Sequence, residues 1–329
     1  MKIVFLVRRF YPAIGGVEKH TLAVGEELIK LNHQVTVVTL KHKPNLENEK
    51  IYRGIKIVRL PDQQNKFFLW KNLWQQRRII KTADIVHCHD VFWWYMPFLL
   101  VYPFKPVFST FHGWEGAWPV PLKFRLARKI WESLSWGNIC VGDYLTKWYG
   151  TKADYVTYGG LYNFTFDRKK NYLNGKVKRG IFIGRLSEDN GIKEYLKAFK
   201  VLKKQGWKFI FIGDGPYAKS AAKLGLVTGF VSNLRPYLIQ PSAIFAASYL
   251  TIWEALGYGR QVYTLYQNPL KKEYLEQFPA APSIHISGSV QELLTQLNQP
   301  RPVCCQFPSW LEVAKIYLKL WQEKTAPSI

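Results

Sequence analysis

No stretch of this 329-residue chain is apolar for long enough to cross a bilayer. The longest apolar run, residues 91–104, is interrupted by Pro97 and Pro103 and falls short of the roughly 20 residues a spanning helix requires. The first residues enter a strand-like run at 3–7 with no basic, apolar, small-residue succession, so no signal peptide is expected. Cysteine is scarce: Cys88, Cys140, Cys304 and Cys305. They lack the paired spacing of a zinc site, and reduced thiols in a cytoplasmic protein are the expectation. Charged low-complexity tracts are missing too, which excludes a disordered chain. The scarcer charge is negative, with 23 Asp and Glu against 46 Lys and Arg and a formal net charge of +23. Both halves share the excess, so it belongs to the whole surface rather than to a basic tail. Such a surface attracts nucleotide phosphates, anionic headgroups or nucleic acid. No nucleic-acid-binding module accompanies it, and a nucleic acid is not an expected partner.

Apolar residues are plentiful at 48%, and aromatics reach 16% with 13 Trp. The length suggests about two domains. Short β-rich runs at 2–7, 34–40, 84–89 and 107–111 alternate with helical patterns, the clearest at 17–31. The alternation restarts after a basic stretch at 168–179. Strands are predicted at 180–184, 207–213, 226–231 and 261–265. Helices are predicted at 192–205, 216–224, from 251, at 290–297 and at 310–322. This is the signature of α/β units with parallel sheets covered on both faces. Two similar units joined near 165–175 are expected, with ligands beyond the carboxyl ends of the strands and one ligand between units facing each other across a central cleft.

Several motifs fall at such strand ends. Gly15-Gly16-Val17-Glu18 sits between the first strand and the first helix, where a glycine pair permits close backbone approach and the helix start offers N–H groups to an anion. An ordinary tight turn explains it equally well. Arg185, in Gly184-Arg185-Leu186-Ser187, follows a strand directly and has the chemistry to clamp phosphate oxygens; a surface arginine is the plain alternative. Ser248 or Thr251 is placed to cap a helix whose start presents backbone donors, and Glu254 lies one turn further in, within reach of a ribose diol or simply facing solvent. His87, His89 and Asp90 look like metal ligands, and the two histidines share one face of a strand, but no third partner for that face is fixed by spacing, and no metal is expected. His112 ends the fourth strand, a position suited to hydrogen-bonding a sugar. Segments 66–81 and 122–136 combine Lys and Arg with Trp and Phe, a composition that suits an anionic membrane interface. Burial of the same aromatics in the core is the competing reading.

Taken together and in order, these motifs resemble glycosyltransferase family 4, the large retaining family with the GT-B fold. The match runs from residues 10–38 through 84–90, 110–113, 156–166, 184–199, 212–216 and 249–262 to 309–323. The resemblance implies two Rossmann-like, doubly wound parallel-sheet domains: 1–167 on the acceptor side, 168–308 binding the nucleotide sugar, and a terminal helix, 309–329, packing back on the first domain. It implies that Arg185 holds the donor diphosphate and that Gly15 and Gly16 approach it from the first domain. Leu250 and Thr251 offer backbone N–H groups, Glu254 accepts from the ribose hydroxyls, and Phe230 and Val231 meet the base. His112 contacts the donor sugar. No metal or cofactor is implied, the donor itself being a substrate, UDP- or GDP-linked. The chemistry would be front-side attack with retained anomeric configuration, in which the protein mainly positions and stabilises charge.

Two positions depart from the family pattern. Asn190 stands where a lysine usually pairs with the arginine, and Ala246 where a glutamate usually touches the donor sugar. The segment 229–245 is also short for the family. The expected function is transfer of a sugar to a lipid-linked or cell-surface glycan acceptor by a peripheral protein at the cytoplasmic membrane face. A non-catalytic sugar-nucleotide or glycan-binding protein on the same scaffold is the alternative.

Overall fold

The computed structural model describes residues 1–62, 65–113, 116–162, 178–297 and 299–326. They divide into two compact units: Met1–Glu115, Pro119–Thr157 and Trp310–Ile329 in the first, Gly116–Trp118 and Tyr158–Ser309 in the second. The expected boundary at 167/168 lies outside the described residues.

The first unit runs β1 (Lys2–Val7), α1 (Gly16–Lys30), β2 (Gln34–Lys41), β3 (Glu49–Tyr52), β4 (Ile55–Pro61), α2 (Lys66–Gln75), α3 (Arg77–Thr82), β5 (Ile85–His89), α4 (Met96–Leu99), β6 (Val107–Phe111), α5 (Leu122–Leu134), β7 (Gly137–Val141), α6 (Tyr144–Tyr149) and β8 (Tyr155–Thr157). The second unit holds β9 (Arg179–Ile183), α7 (Ile192–Lys204), β10 (Lys208–Ile212), α8 (Ala218–Ala222), β11 (Gly225–Gly229), α9 (Arg235–Leu238), β12 (Ala243–Ala246), α10 (Tyr249–Gly257), β13 (Val262–Leu265), α11 (Pro269–Glu276), β14 (His285–Ser287) and α12 (Val290–Gln296). α13 (Trp310–Thr325) returns to the first unit.

Among the described residues the first sheet has the order β3-β4-β2-β1-β5-β6-β7-β8 and the second β11-β10-β9-β12-β13-β14. Every pairing is parallel except β3 with β4. The central strands are buried on both faces, as parallel strands under helices must be. In β1 only Lys2 escapes burial, and β5, β6 and β7 are buried throughout. α13 lies against α1, β7 and β8 and buries Trp310, Val313, Ala314, Tyr317, Leu320 and Trp321.

Local expectations need several corrections. The β3–β4 hairpin was not predicted, nor were β7, β8, β12 and β14. Segment 66–81 folds as two helices broken at Gln76. The short stretch after Gly229 holds a helix of a single turn, α9.

Candidate functional site

The carboxyl edge of the second sheet gathers most of the predicted donor residues. Arg185 follows β9, Phe230 and Val231 follow β11, and Leu250, Thr251 and Glu254 belong to α10 after β12. The β9 loop is fixed backbone to backbone. The Gly184 N–H donates to Ile212 O at 3.0 Å and the Leu186 N–H to Asp214 O at 2.9 Å. Gly213 makes this possible: its φ is +152°, and a Cβ there would fall 1.9 Å from Gly184 O. Arg185 thus rises from a rigid base with its side chain 66% exposed, and its guanidinium donates to Asp189 Oδ2 at 2.6 Å. The Asn190 side-chain amide donates to Arg185 O at 3.2 Å. Lys193, the cation next in line, is bound to Glu188, which also accepts from Tyr217.

At the start of α10 the Ser248 side chain makes no capping bond to the helix and meets the Thr251 hydroxyl at 2.7 Å instead. The Tyr249 N–H donates to Tyr274 Oη at 3.0 Å. Leu250 and Thr251, next in the first turn, have no intrahelical acceptor for their N–H groups, so the helix start keeps anion-binding capacity. Glu254 is half-buried one turn on, Phe230 is exposed beside the edge strand, and Ala246 is fully buried with its carbonyl accepting from the Tyr195 hydroxyl at 3.3 Å.

The first unit carries His112, Gly15 and Gly16 at the carboxyl edge of its own sheet. His112 Nε2 lies 2.8 Å from His89 Nδ1, and the His112 N–H donates to Asp90 Oδ1 at 2.9 Å. That leaves Nδ1 as the second ring nitrogen of His112. Behind it a hydrogen-bonded chain runs through the core. The Trp321 indole N–H donates to His87 Nδ1 at 3.1 Å, so neutral His87 carries its proton on Nε2 and donates to Thr110 Oγ1 at 2.7 Å. Thr110 Oγ1 is 2.9 Å from Tyr317 Oη, which is 3.0 Å from His20 Nε2. The His20 ring meets that of His112 edge to face with centroids 4.8 Å apart. Burial pushes His20 down to about 3 and holds His87, His89 and His112 well below the usual histidine range, with neighbouring histidines adding to the effect for the last three. All four are neutral near pH 7. Both ring nitrogens of His87 are thereby committed to hydrogen bonds, and among the described residues no group of three or more His, Cys, Asp or Glu could hold a metal.

Gly15 is the extended N-cap of α1, and a Cβ there would meet the Glu18 carboxylate at 2.2 Å. Around a Cβ on Gly16 there is open space to 4 Å. The loop carrying the pair is tied down by Arg59, which donates to Tyr11 O at 2.9 Å, and by the stacking of Tyr11 on Tyr52 at 3.6 Å. Beside it a cavity of about 540 Å³ is lined by Arg8, Arg9, Val17, Glu18, His89, Asp90 and Trp93, among others. Arg8, Arg9 and Trp93 were not predicted as site residues; their place at the ends of β1 and β5 was the available signal.

The basic aromatic segments are only partly core. In α2, Leu69 and Leu73 are buried, and the Trp70 indole donates to Trp93 O at 3.1 Å, while Phe67, Phe68 and Trp74 are exposed. In α5 only Arg128 is buried, and Leu122, Leu126, Ile130 and Leu134 form an exposed stripe. Trp131 of α5 stacks on Phe92. The intervening segment exposes Leu100 at 94% and Phe104 at 86%.

Two α/β units with parallel sheets, each placing its polar residues at the strands' carboxyl ends, define the GT-B fold of nucleotide-sugar enzymes. The same fold appears in sucrose-phosphate synthase from Thermosynechococcus elongatus, with a TM-score of 0.68 and 15% identity over 98% of this chain and 93% of that one. The catalytic domain of starch synthase IV from Arabidopsis thaliana, bound to ADP and acarbose, gives 0.68 and 13% over 99% of each chain. In sequence, the model for glycosyltransferase family 4 matches residues 14–157 and that for glycosyl transferases group 1 matches residues 163–258. The chain belongs to glycosyltransferase family 4. A GDP-mannose:cellobiosyl-diphosphopolyprenol α-mannosyltransferase from Xanthomonas campestris is 28% identical over 127 residues, 34% of this chain and 31% of that protein. The chain thus spans about a third of the length of the curated relative it matches.

Proposed function

We propose that the protein is a retaining, metal-independent glycosyltransferase. It takes a sugar from a UDP- or GDP-linked donor and delivers it to a lipid-linked or cell-surface glycan at the cytoplasmic face of a membrane. The observation that carries this reading is the convergence of Arg185, Phe230, Leu250, Thr251 and Glu254 on the carboxyl edge of one parallel sheet. There a guanidinium and a helix start address phosphates, a half-buried carboxylate addresses a ribose, and an exposed aromatic ring addresses a base. In the first unit His112 keeps Nδ1 for a hydrogen bond to a sugar, and the cavity with Arg8, Arg9 and Trp93 suits a polar acceptor bearing phosphate. The GDP-mannose and diphosphopolyprenol in the relative's name support this donor and acceptor chemistry.

The exposed stripe of α5, with Leu100 and Phe104, supports docking on anionic lipid, since basic residues at 123, 125 and 129 flank it. Sedimentation with vesicles containing phosphatidylglycerol tests this: Leu126→Glu with Ile130→Glu should lower the bound fraction several-fold, and an unchanged fraction rejects the surface.

Thermal-shift titration with UDP, GDP and their sugar conjugates tests the donor site. A ligand at 100 times its Kd adds about 2.7 kcal/mol. Arg185→Ala should weaken binding by about 1.5–3 kcal/mol, the worth of a hydrogen bond to a charged group, and leave the Tm of the free protein unchanged. A second reading, a non-catalytic nucleotide-sugar binder, is favoured by the Arg185–Asp189 pair and by Ala246. Release of sugar from any member of a donor panel rules it out; binding without turnover establishes it.

A further inference from the structure

Lys271 is a buried cation that nothing above employs. It lies in the first turn of α11, is 4% exposed, and donates from Nζ to Ala247 O at 2.6 Å. The ammonium sits over the Tyr274 ring, 3.9 Å from its centroid. Among the described residues no carboxylate forms an ion pair with it. Burial without a counter-ion is expensive, and a purely structural tie between α11 and Ala247 would be made as well by a neutral donor.

Its location gives the cation a use. Ala247 immediately precedes Ser248, the N-cap of α10, so Nζ lies at the base of the helix start that offers Leu250 and Thr251. The loop leading into α11 also lies against the turn that carries Arg185: a Cβ on Gly191 would fall 1.8 Å from Gln267 Nε2. The charged groups facing Lys271 are Asp189 and Arg185 from that turn, and the rings beside it are Tyr274 and Tyr249, stacked 3.9 Å apart. Asn190 supplies no charge, and Lys193 is held by Glu188. An ammonium has three N–H groups, of which Ala247 O takes one.

We infer that Lys271 is the second cation of the donor diphosphate site, standing on α11 in place of the lysine absent at Asn190. The inference rests on the donor-site reading of the second unit. Burial, and to a lesser degree Arg185, lowers Lys271 to about 7, while Asp189 acts the other way. In the free protein near pH 8 most of Lys271 is therefore neutral. A diphosphate that needs its charge must draw a proton as it binds.

Isothermal titration of the full chain with UDP and GDP at pH 8, in two buffers of different ionisation heat, measures that proton directly. The nucleotides are already fully ionised there. The expected result is uptake of close to one proton, with affinity falling up to about tenfold per unit as pH rises from 8 to 9. Lys271→Met should abolish the uptake and weaken diphosphate binding about tenfold or more, while leaving the corresponding nucleoside's affinity within about twofold, because the base and ribose contacts lie elsewhere. If the wild type binds and Arg185→Ala weakens it, yet no proton is taken up, the Lys271 assignment is overturned and the donor site stands. If neither nucleotide binds the wild type, the donor site falls and the assignment with it. If Lys271→Met does not fold, Lys271→Arg carries a permanent charge and should bind the nucleotides without proton uptake, and uptake retained in that variant overturns the assignment.

Discussion

At the carboxyl ends of the first sheet, His87, His89, Thr110 and His112 direct their hydrogen bonds to one another and, through Tyr317 and Trp321, to α13. At the carboxyl ends of the second sheet the polar groups are held open. Arg185 is 66% exposed, Ser248 does not cap its helix, and Lys271 has no ion pair among the described residues. Both sheets end on polar residues, but those beyond the second keep more capacity for a ligand. A nearly saturated buried network stabilises and fixes ring orientations; an open set of charges does little for the fold and leaves it available to bind. The exception in the first unit is its outer rim, where His112 Nδ1, the space at Gly16 and the adjoining cavity adjoin the closed network.

The comparison breaks most readily in acid. His20, His87 and His89 are buried and neutral in the folded protein, with values held below the unfolded 6.5. Between the folded and unfolded values the unfolded chain binds more protons, so stability is full above about pH 6.5 and is lost as pH falls below it toward 3. Three such groups give a slope of up to about 4 kcal/mol per pH unit near pH 5. His285 in the second unit, lowered to about 4 by burial and by Arg301, acts in the same direction but singly. Urea unfolding at pH 7 and pH 5, followed by tryptophan fluorescence, should show a large drop in midpoint with the first unit unfolding first. A midpoint unchanged between those pH values means the histidines are not neutral and buried in solution.

Tyr317→Phe is the next test. It removes the hydroxyl that joins Thr110 to His20 and leaves two buried polar atoms with one partner fewer. The expected loss is about 1–3 kcal/mol of stability, with nucleotide affinity unchanged because the donor contacts proposed above lie in the second unit. Weaker nucleotide binding at constant stability would move the boundary between closed network and open site.

The layering and the two-unit plan were legible because parallel βα units write apolar runs at regular spacing, and Arg185, His112 and the α10 start were legible because each follows such a run. The histidine network was not. His20 sits within the periodic pattern of α1 and carries no local mark, while its partner Tyr317 is 297 positions away. Contacts of that separation are made by the fold and leave no spacing in the chain. Lys271 was hidden for a related reason. Nothing in the local sequence separates Lys271 from Lys272, and only the packing of α11 on α10 buries the first and leaves the second exposed. The β3–β4 hairpin did carry a signal. Arg53 and Gly54, with φ of +51° and +80°, form the two-residue turn that joins antiparallel strands. The strands around it are short and mixed in polarity, which leaves the turn as the clearer mark.

Two glycines give the sharpest contrast with the smallest perturbation. Gly213 in the second unit is needed by the fold: its φ of +152° and the 1.9 Å approach to Gly184 O leave no room for Cβ. Gly213→Ala should lower stability by about 1–3 kcal/mol and displace Arg185 with its loop. Gly16 in the first unit has open space instead, at the first position of α1. Gly16→Ala should leave stability unchanged or raise it by less than about 1 kcal/mol, since alanine suits a helix better than glycine. If the space beside Gly16 is where the donor phosphates approach, the same methyl should weaken nucleotide-sugar binding several-fold. Thermal denaturation and titration of the two variants separate the roles. Equal affinity in Gly16→Ala and wild type would show that this space is not part of the proposed donor site.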